Sequence, residues 1–450
     1  MAVSLRRRGF LGRAGALMGL AIAGHVPGAR AVPRAAAKVL VVGGGFAGAA
    51  CALNLRRAAP RLGITLVDPD ASYVTCPMSN QVIAGWRGLA SITVSRRGLE
   101  AAGVSCVQGR VESILAERRR ARLAGGEELA YDRLVMATGI RFLWDRIEGL
   151  NAESSLCVPH AWQAGAQTTL LAAQLSTLRP GGVFAISVPG GYMRCPPGPF
   201  ERASLVAEYL KRRNPRAKVL ILDANNRFPR QDEFTSAWRE LYGDAIEWVP
   251  VVEGGAVTRV DPATRTLYTS SGAHRADAAS VIPPQAPAAL AVQAGLASGH
   301  GWCPVVPGTF ESTQVRGIHV IGDACIADPM PKSASAAYAQ AVSCAQSIAA
   351  ILEQRAAPEP LLDSVCFSML AHGRALSIRA RFAVERGVIR RVEAGERRET
   401  GDKPETSEKR ERGDKRETSD QRETGAAGSE REAVAAEAWY RSIVSNSFAV

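Results

Sequence analysis

The chain has 450 residues and a formal net charge of +12, with 46% hydrophobic and 22% charged residues. Because these fractions are ordinary for globular proteins, they exclude disorder throughout the chain, and the length predicts two or three domains. Nine cysteines are too few for a disulfide scaffold. Downstream of the N-terminus the sequence has no apolar run of the length that crosses a membrane, so we expect no stable membrane insertion.

The N-terminal residues have the pattern of a twin-arginine export signal. Arg7 and Arg8 precede Gly-Phe-Leu, a stretch of small apolar residues follows, and residues 29–31 form an A-x-A cleavage site. The alternative is the basic amphipathic start of a cytoplasmic protein. Removal of residues 1–31, which contain five arginines and no acid, would lower the net charge from +12 to +7. No basic stripe interleaved with aromatic residues remains, so we expect a periplasmic protein without a nucleic-acid partner.

The first predicted strand and helix flank a glycine-rich turn. A β-branched run at 38–42 predicts a buried parallel strand, and an Ala- and Leu-rich helix follows the turn GGGFAG. Gly43, Gly45 and Gly48 form the dinucleotide fingerprint, because glycines let the backbone approach a pyrophosphate at a helix N-terminus. The next predicted strand ends at Asp68, which can accept hydrogen bonds from a ribose hydroxyl.

Strands and helices continue to alternate downstream. Further strands are predicted at 134–139, 182–188, 218–223 and 317–323, with helices near 203–213 and at 334–352. This alternation predicts doubly wound parallel sheets and therefore an α/β fold. The turn after the strand at 182–188 has no second glycine fingerprint. Prolines stand where a pyrophosphate needs free N–H groups, which disfavours a nicotinamide donor, and a cysteine, Cys195, stands there instead.

A degenerate six-residue repeat of charged residues runs from Arg398 to Gln421. Between Glu396 and Glu432 there are 10 basic and 12 acidic side chains and almost no apolar ones. Such a composition cannot bury enough surface to offset the entropy of ordering, so we expect a disordered insertion at 396–432. The alternative, a helix held by ion pairs, is weakened by two glycines and a proline.

Three longer motifs point to one family. Residues 73–80 (YVTCPMSN), 194–204 (RCPPGPFERAS) and 322–333 (GDACIADPMPKS) resemble the flavoprotein subunit of flavocytochrome c sulfide dehydrogenase. That family is related to the sulfide:quinone oxidoreductases and belongs to the FAD-dependent pyridine nucleotide-disulfide oxidoreductases. The resemblance runs from about Lys38 to Phe367 and resumes at Trp439, with the charged repeat as the clear departure.

The resemblance implies the domain organisation and the cofactor. It implies two Rossmann-like doubly wound domains, an FAD-binding domain and a degenerate NAD-like domain, plus a C-terminal α+β interface domain. The FAD-binding domain is expected to comprise residues 36–148 and 283–355, and the degenerate NAD-like domain residues 149–282. The C-terminal domain is expected to comprise residues 356–450. Thr138, Gly139 and Asp323 match the family's further FAD-binding positions. Cys76 matches a cysteine that forms a thioether to the flavin, whereas the alternative is a buried small residue.

The resemblance also implies the reacting groups. Cys195 and Cys366 match a redox-active disulfide, against the alternative of a purely structural one. The charge of Arg194 should favour a thiolate at Cys195. Glu201 is a candidate acid/base toward hydrosulfide or else a helix N-terminal cap. Lys332 is a candidate positive charge beside the flavin or else a surface lysine.

The expected activity is the oxidation of sulfide to sulfur or polysulfide, with electrons passed to a separate cytochrome c subunit. No Cys-x-x-Cys-His occurs, so we expect haem c on that partner subunit alone, and the six histidines show no metal-binding spacing. Two alternatives are a quinone reductase and a non-catalytic redox partner that reactivates the sulfur carrier of thiosulfate oxidation.

Overall fold

The computed structural model describes residues 36–299, 301–392 and 429–450. The predicted export signal and the whole of the charged repeat lie outside the described residues. The first sheet consists of the parallel strands β1 (Lys38–Val42), β2 (Gly63–Asp68), β5 (Ser105–Gln108), β9 (Arg133–Met136) and β20 (Ile318–Val320). Their spatial order is β20-β9-β1-β2-β5. The carboxyl ends of β1, β9 and β20 therefore meet at one edge, where a doubly wound sheet binds its ligand.

The second sheet is also parallel. It contains β11 (Val183–Val188), β12 (Lys218–Asp223), β13 (Ile246–Val249) and β17 (Ala278–Val281), in the order β13-β12-β11-β17. Residues of β11 and β12 are almost all buried, as expected of strands that are covered on both faces. Two Rossmann-like sheets thus confirm the predicted α/β fold class.

The C-terminal sheet is antiparallel. Its strands are β22 (Leu362–Ala371), β23 (Arg374–Glu385) and β24 (Val388–Val392). Three smaller sheets have two strands each: β3 (Ser72–Val74) with β4 (Thr93–Ser95), β10 (Ile140–Phe142) with β18 (Gln285–Pro287), and β19 (Cys303–Pro304) with β21 (Cys325–Ile326). Two further sheets have three strands each. One contains β6 (Val111–Leu115), β7 (Arg120–Leu123) and β8 (Glu128–Ala130), and the other contains β14 (Arg259–Asp261), β15 (Thr266–Thr269) and β16 (Gly272–Arg275).

The α-helices connect and cover these sheets. They are α1 (Phe46–Ala58), α2 (Ser79–Ile83), α3 (Arg97–Ala101), α4 (Ala166–Ser176), α5 (Gly198–Arg213), α6 (Gln231–Tyr242), α7 (Ala289–Gln293), α8 (Ala334–Leu352) and α9 (Glu430–Phe448). Helices α1 and α8 pack against each other, and their many fully buried alanines allow a close approach. In the described part of the chain, no helix is both long and apolar enough to span a bilayer.

Two boundaries differ from the predictions. Helix α5 begins at Gly198 rather than near residue 203, because Pro197 and Pro199 stand at positions of a helix start that require no N–H donor. The predicted disorder does not extend to residues 429–432. Ser429 pairs with Ala375, and its side chain accepts the N–H of Glu432 to cap α9.

Candidate active site

The turn between β1 and α1 fits against the end of β9. Gly43 has a φ of 99°, and a Cβ there would lie 2.5 Å from the carbonyl oxygen of Ala137. A Cβ on Gly48 would lie 1.8 Å from the carbonyl oxygen of Gly43. Since only glycine fits at both positions, the fingerprint forms the close backbone approach that a dinucleotide site needs.

Asp68 and Arg96 border this turn. The carboxylate of Asp68 accepts the N–H of Gly44, and its Oδ1 lies 3.2 Å from Nη2 of Arg96. Arg96 is 7% exposed, donates to the carbonyl oxygen of Gly44, and has an Nε without a partner among the described residues. A guanidinium at a glycine-rich turn suits a phosphate group. Sequence reasoning missed Arg96, because nothing local separates it from the chain's many other arginines.

Thr138, Gly139 and Asp323 lie at the ends of the neighbouring strands. Gly139 has a φ of 67°. The hydroxyl of Thr138 is buried and has no hydrogen-bond partner in the described part of the chain. Burial raises the pKa of Asp323, while the charges of Arg194 and Lys332 oppose that rise. The orphaned hydroxyl and the glycine cradle leave polar groups that a bound dinucleotide would satisfy.

Cys76 lies in the turn between β3 and α2. Its carbonyl oxygen accepts the hydroxyl of Ser79 at 2.7 Å, and its half-buried sulfur is 3.8 Å from the carbonyl oxygen of Trp162. Burial raises the pKa of Tyr73, and the charge of Cys76 adds to that rise, so the two side chains are neighbours. The thioether at Cys76 stays a prediction.

Cys195 lies three residues before the first residue of α5. Its φ of 51° is unusual for a residue with a side chain, and such strain concentrates at functional sites. Its N–H donates to the carbonyl oxygen of Lys332 at 2.7 Å. Burial raises the pKa of the Cys195 thiol, and the charges of Cys366 and Glu201 raise it further, whereas Arg194 opposes the rise with a weaker effect. The charge of Arg194 thus favours the thiolate, as predicted, but desolvation of the thiol has the larger effect on the pKa of Cys195.

Cys366 lies on β22 and is half-buried. Burial raises its pKa, hydrogen bonds with Ser333 and Ser364 lower it, and the charge of Glu201 raises it. The structure thus brings Cys195, Cys366 and Glu201 together from α5 and β22. Both cysteines are free thiols in the structure, and the redox-active disulfide stays a prediction.

Glu201 does not cap α5. Its carboxylate accepts the side-chain N–H of Asn80 at 2.7 Å and the backbone N–H of Met369 at 2.9 Å. Burial raises the pKa of Glu201 despite these two hydrogen bonds and the nearby charge of Arg202. The N-terminal cap alternative is therefore wrong, since both partners lie outside α5.

A buried arginine ties the site to the second domain. Arg202 donates to the side-chain oxygens of Asn80 and Ser280 and to the carbonyl oxygens of His160 and Ala161. Burial lowers its pKa to about 10. Four hydrogen bonds on one buried guanidinium make it a rigid support. Sequence reasoning missed both Arg202 and Asn80, because their roles depend on partners that are distant in sequence.

Lys332 is half-buried rather than a surface lysine. Its ammonium group donates to the carbonyl oxygen of Cys325 at 2.7 Å and lies 4.0 Å from the ring centre of Trp302. Burial lowers its pKa, and the charges of Cys325 and Asp323 oppose that change. The structure therefore places a partly desolvated positive charge near Asp323.

The corresponding edge of the second sheet is closed by the protein's own side chains. Asp223, at the end of β12, accepts hydrogen bonds from the amide of Asn225 at 2.8 Å and the indole of Trp248 at 3.0 Å. The same amide donates to the carbonyl oxygen of Pro189 at 3.0 Å. The acid that would bind a ribose in this domain is thus already satisfied, in agreement with the missing fingerprint.

Comparisons with known proteins agree with this geometry. Residues 168–283 match the family model "Sulfide dehydrogenase [flavocytochrome c] flavoprotein chain, central", and residues 37–169 match "Pyridine nucleotide-disulphide oxidoreductase". The flavocytochrome c sulfide dehydrogenase flavoprotein chain of Chlorobaculum thiosulfatiphilum is 53% identical over 45 residues, which are 10% of this chain and 94% of that sequence. This chain belongs to the sulfide-oxidising FAD disulfide oxidoreductases.

Sulfide:quinone oxidoreductases are further relatives within this family. The mitochondrial sulfide:quinone oxidoreductase of Dictyostelium discoideum is 24% identical over 329 residues, 68% of each chain. The crystal structure of the sulfide:quinone oxidoreductase of Aquifex aeolicus superposes with a TM-score of 0.66 at 21% identity, covering 79% of this chain and 85% of that one. These findings confirm the predicted family and fold, and with them FAD as the cofactor.

Proposed function

We propose that this chain is a periplasmic sulfide dehydrogenase that reduces a separate cytochrome c subunit. The observation that supports the proposal most directly is the assembly of Cys195, Cys366 and Glu201 around the start of α5, close enough for the charges of Cys366 and Glu201 to act on Cys195. Asp223 already accepts hydrogen bonds from Asn225 and Trp248, so it is not free to bind the ribose of a nicotinamide dinucleotide. This fits a site that is reduced by a sulfur compound rather than by a nicotinamide.

The reaction begins when hydrosulfide attacks Cys195 in the oxidised Cys195–Cys366 pair. A bond forms between the substrate sulfur and Cys195, the bond between the cysteines breaks, and Cys366 leaves as a thiolate. Two observations support this direction. The residue Cys195 is more exposed to solvent than Cys366, and hydrogen bonds with Ser333 and Ser364 oppose the rise that burial causes in the pKa of Cys366.

Glu201 is the proton acceptor of this step. A second hydrosulfide removes the outer sulfur from Cys195, and the disulfide re-forms as two electrons leave. In sum, two hydrosulfide ions give one hydrodisulfide ion, one proton and two electrons. Because burial raises the pKa of Glu201 and its charge acts on both thiols, it is a candidate to hold and release that proton.

The remaining residues hold the cofactor. When bound, FAD accepts the two electrons and releases them one at a time. Asp68 and Arg96 lie where the phosphates and ribose of FAD would bind, and Asp323 and Lys332 lie at the other end of the FAD site. A thioether from Cys76 would keep it in place during export, and haem c stands on the partner subunit.

The electron acceptor decides between two activities. Relatives of this chain carry the name sulfide:quinone oxidoreductase, so a quinone is the second candidate acceptor. The purified flavoprotein, mixed anaerobically with sulfide, should reduce a soluble c-type cytochrome and should leave a soluble ubiquinone analogue oxidised. Reduction of the quinone alone would overturn the cytochrome proposal, and reduction of neither would favour the non-catalytic redox partner.

Export is tested separately. The pattern at Arg7 and Arg8 supports a periplasmic location. Replacing both arginines by lysine should leave the folded flavoprotein in the cytoplasm, as measured by cell fractionation with flavin fluorescence. Equal periplasmic amounts of both forms would contradict the proposed route.

A further inference from the structure

The C-terminal helix α9 lies across the segment that contains Cys76. Its buried residues Ala436, Tyr440, Ile443 and Ser447 recur at helical spacing, so they form one face of the helix. Tyr440 belongs to a hydrophobic cluster together with Val82 and Ile92. The partly buried side chains packed against that cluster are Val74, Met78, Leu89, Trp439 and Val444. This cluster joins α9 to both sides of the turn at Cys76.

A buried hydrogen bond links the same helix to the residue before Cys76. The hydroxyls of Tyr440 and Thr75 are 2.9 Å apart, and Thr75 is fully buried. The hydroxyl of Thr75 also donates to the carbonyl oxygen of Pro77 at 3.0 Å. A hydroxyl has one proton, so Tyr440 is the donor to Thr75. Tyr440 therefore holds the side chain of Thr75, which in turn bonds across Cys76 to Pro77.

The last turn of α9 reaches the glycine-rich turn. The ring of Phe448 stacks on Tyr73 with centres 5.6 Å apart and meets Phe46, the residue after Gly45, edge-on at 5.5 Å. Phe448 is fully buried. A Cβ on Gly98 would lie 2.3 Å from the carbonyl oxygen of Phe448, so the backbone there packs directly on α3.

An ion pair adds a third link. Arg87 donates to Glu437 of α9 at 2.7 Å and to the side-chain oxygen of Gln81 in α2 at 2.7 Å. Packing of a core would account for the burial of Phe448 alone. It would not account for separate contacts of α9 with Tyr73, Thr75 and, through Arg87, Gln81, all of them within five residues of Cys76.

We propose that α9 is a clamp that positions Cys76 and Tyr73 against the glycine-rich turn. In this proposal Tyr440 and Phe448 are positioning residues, which act through Thr75 and Tyr73 and touch no reacting atom. The proposal rests on the flavin attachment proposed for Cys76. It adds that the protein retains its flavin only when α9 is packed against the segment that contains Cys76.

The experiment compares two clamp variants with a matched core variant in the full-length flavoprotein. Tyr440→Phe removes one hydroxyl, and Phe448→Ala removes the stacked ring. Phe234→Ala is the control, because Phe234 is equally buried but packs with Phe228 and Trp238, in a core cluster other than that of Phe448. The measurements are acid-precipitable flavin per folded molecule, the flavin absorbance band, and hydrogen exchange of residues 72–83.

We expect Phe448→Ala to lower acid-precipitable flavin by about tenfold or more and Tyr440→Phe by about fivefold, since a net hydrogen bond corresponds to about that factor. Both should shift the flavin band and speed exchange at 72–83, and Phe234→Ala should do neither. Equal flavin loss in Phe448→Ala and Phe234→Ala, or unchanged exchange in Tyr440→Phe, would overturn the clamp. If the parent protein releases all its flavin in acid, the thioether proposal fails. In that case, hydrogen exchange of residues 72–83 and the rate at which FAD dissociates still test whether α9 positions this segment.

Discussion

Cys195 combines a left-handed backbone with surroundings that disfavour the charge of its thiolate. The motif at 194–204 predicts a redox role for Cys195, and that role stays a prediction. The motif was not sufficient to predict the protonation of the thiol, because the pKa of Cys195 depends on burial by distant segments and on charges from Cys366 and Glu201. The same holds for Glu201, whose hydrogen-bond partners Asn80 and Met369 come from α2 and β22. Residue type is readable in sequence, whereas desolvation belongs to the folded chain.

The two cysteines should behave as one unit. Cys195→Ala and Cys366→Ala should each lower sulfide turnover per bound flavin by roughly 10³-fold or more, and the double variant should be no worse. Dithionite should still bleach the flavin in all three variants. Cys157→Ala, at an exposed cysteine, is the control and should keep the parent rate. Near-parent turnover in either single variant would rule out the proposed relay.

Glu201 should make the protein less stable as the pH rises. Its pKa is raised in the folded state, so above the ordinary glutamate pKa of about 4.3 the unfolded chain loses a proton that the folded chain keeps. The stability of the parent therefore falls with pH until the folded pKa is passed. Glu201→Gln lacks this effect, so its Tm relative to the parent should rise between pH 4 and pH 7.

The measurement is calorimetry at several pH values, with the exposed Glu127→Gln as a control whose Tm should follow the parent. A Tm difference between Glu201→Gln and the parent that is constant, or that falls with rising pH, would contradict the raised pKa of Glu201.

At the scale of helices and strands, continuous apolar patterns predicted the elements correctly, whereas the residue at which an element begins was predicted less well. The strand at 38–42, the strand at 218–223 and the helix at 334–352 have their predicted bounds, since continuous apolar runs leave few alternatives. Helix α5 was predicted to begin later, because a Pro-rich stretch is typical of a loop as well as of a first helical turn. The correction matters for the site, since it places Cys195 within three residues of the start of a helix.

The start of α5 should not tolerate a methyl group. A Cβ on Gly198 would lie 2.7 Å from the ring of Trp162 and 3.1 Å from the sulfur of Cys195. Gly198→Ala should therefore cost about 1–3 kcal/mol of stability through overpacking. Gly125→Ala, where a Cβ would meet nothing within 4 Å, should cost almost nothing in the same urea-unfolding measurement. Equal stability of the two variants would mean that Trp162 moves aside freely.

At the scale of the whole molecule, the chain returns to the first domain twice. Strand β20 joins the first sheet after the second domain is complete, and α9 packs beside α1 after the C-terminal sheet. The first return was predictable from the strand and turn at 317–323. The contacts of α9 were not, because single residues such as Tyr440 and Phe448 meet partners more than 300 residues away, and no local pattern encodes such pairs.

The charged repeat should be dispensable for the fold. Its near absence of apolar residues predicts that deletion of residues 398–421 leaves Tm within about 2 °C of the parent and cytochrome reduction unchanged. Thermal unfolding and sulfide-dependent reduction measure the two properties. A clear drop in either would show that the segment packs on the folded chain.

The closure of Asp223 by Asn225 and Trp248 has a consequence for energy metabolism. A flavoprotein with an open second fingerprint exchanges electrons with the cell's nicotinamide pool, and its redox state then follows the nutritional state of the cell. Here the acid that would bind the ribose of that nicotinamide is already hydrogen-bonded within the protein, which disfavours the exchange. With the proposed function, the oxidation state of the bound cofactor would instead follow the supply of reduced sulfur and the rate at which the acceptor takes electrons.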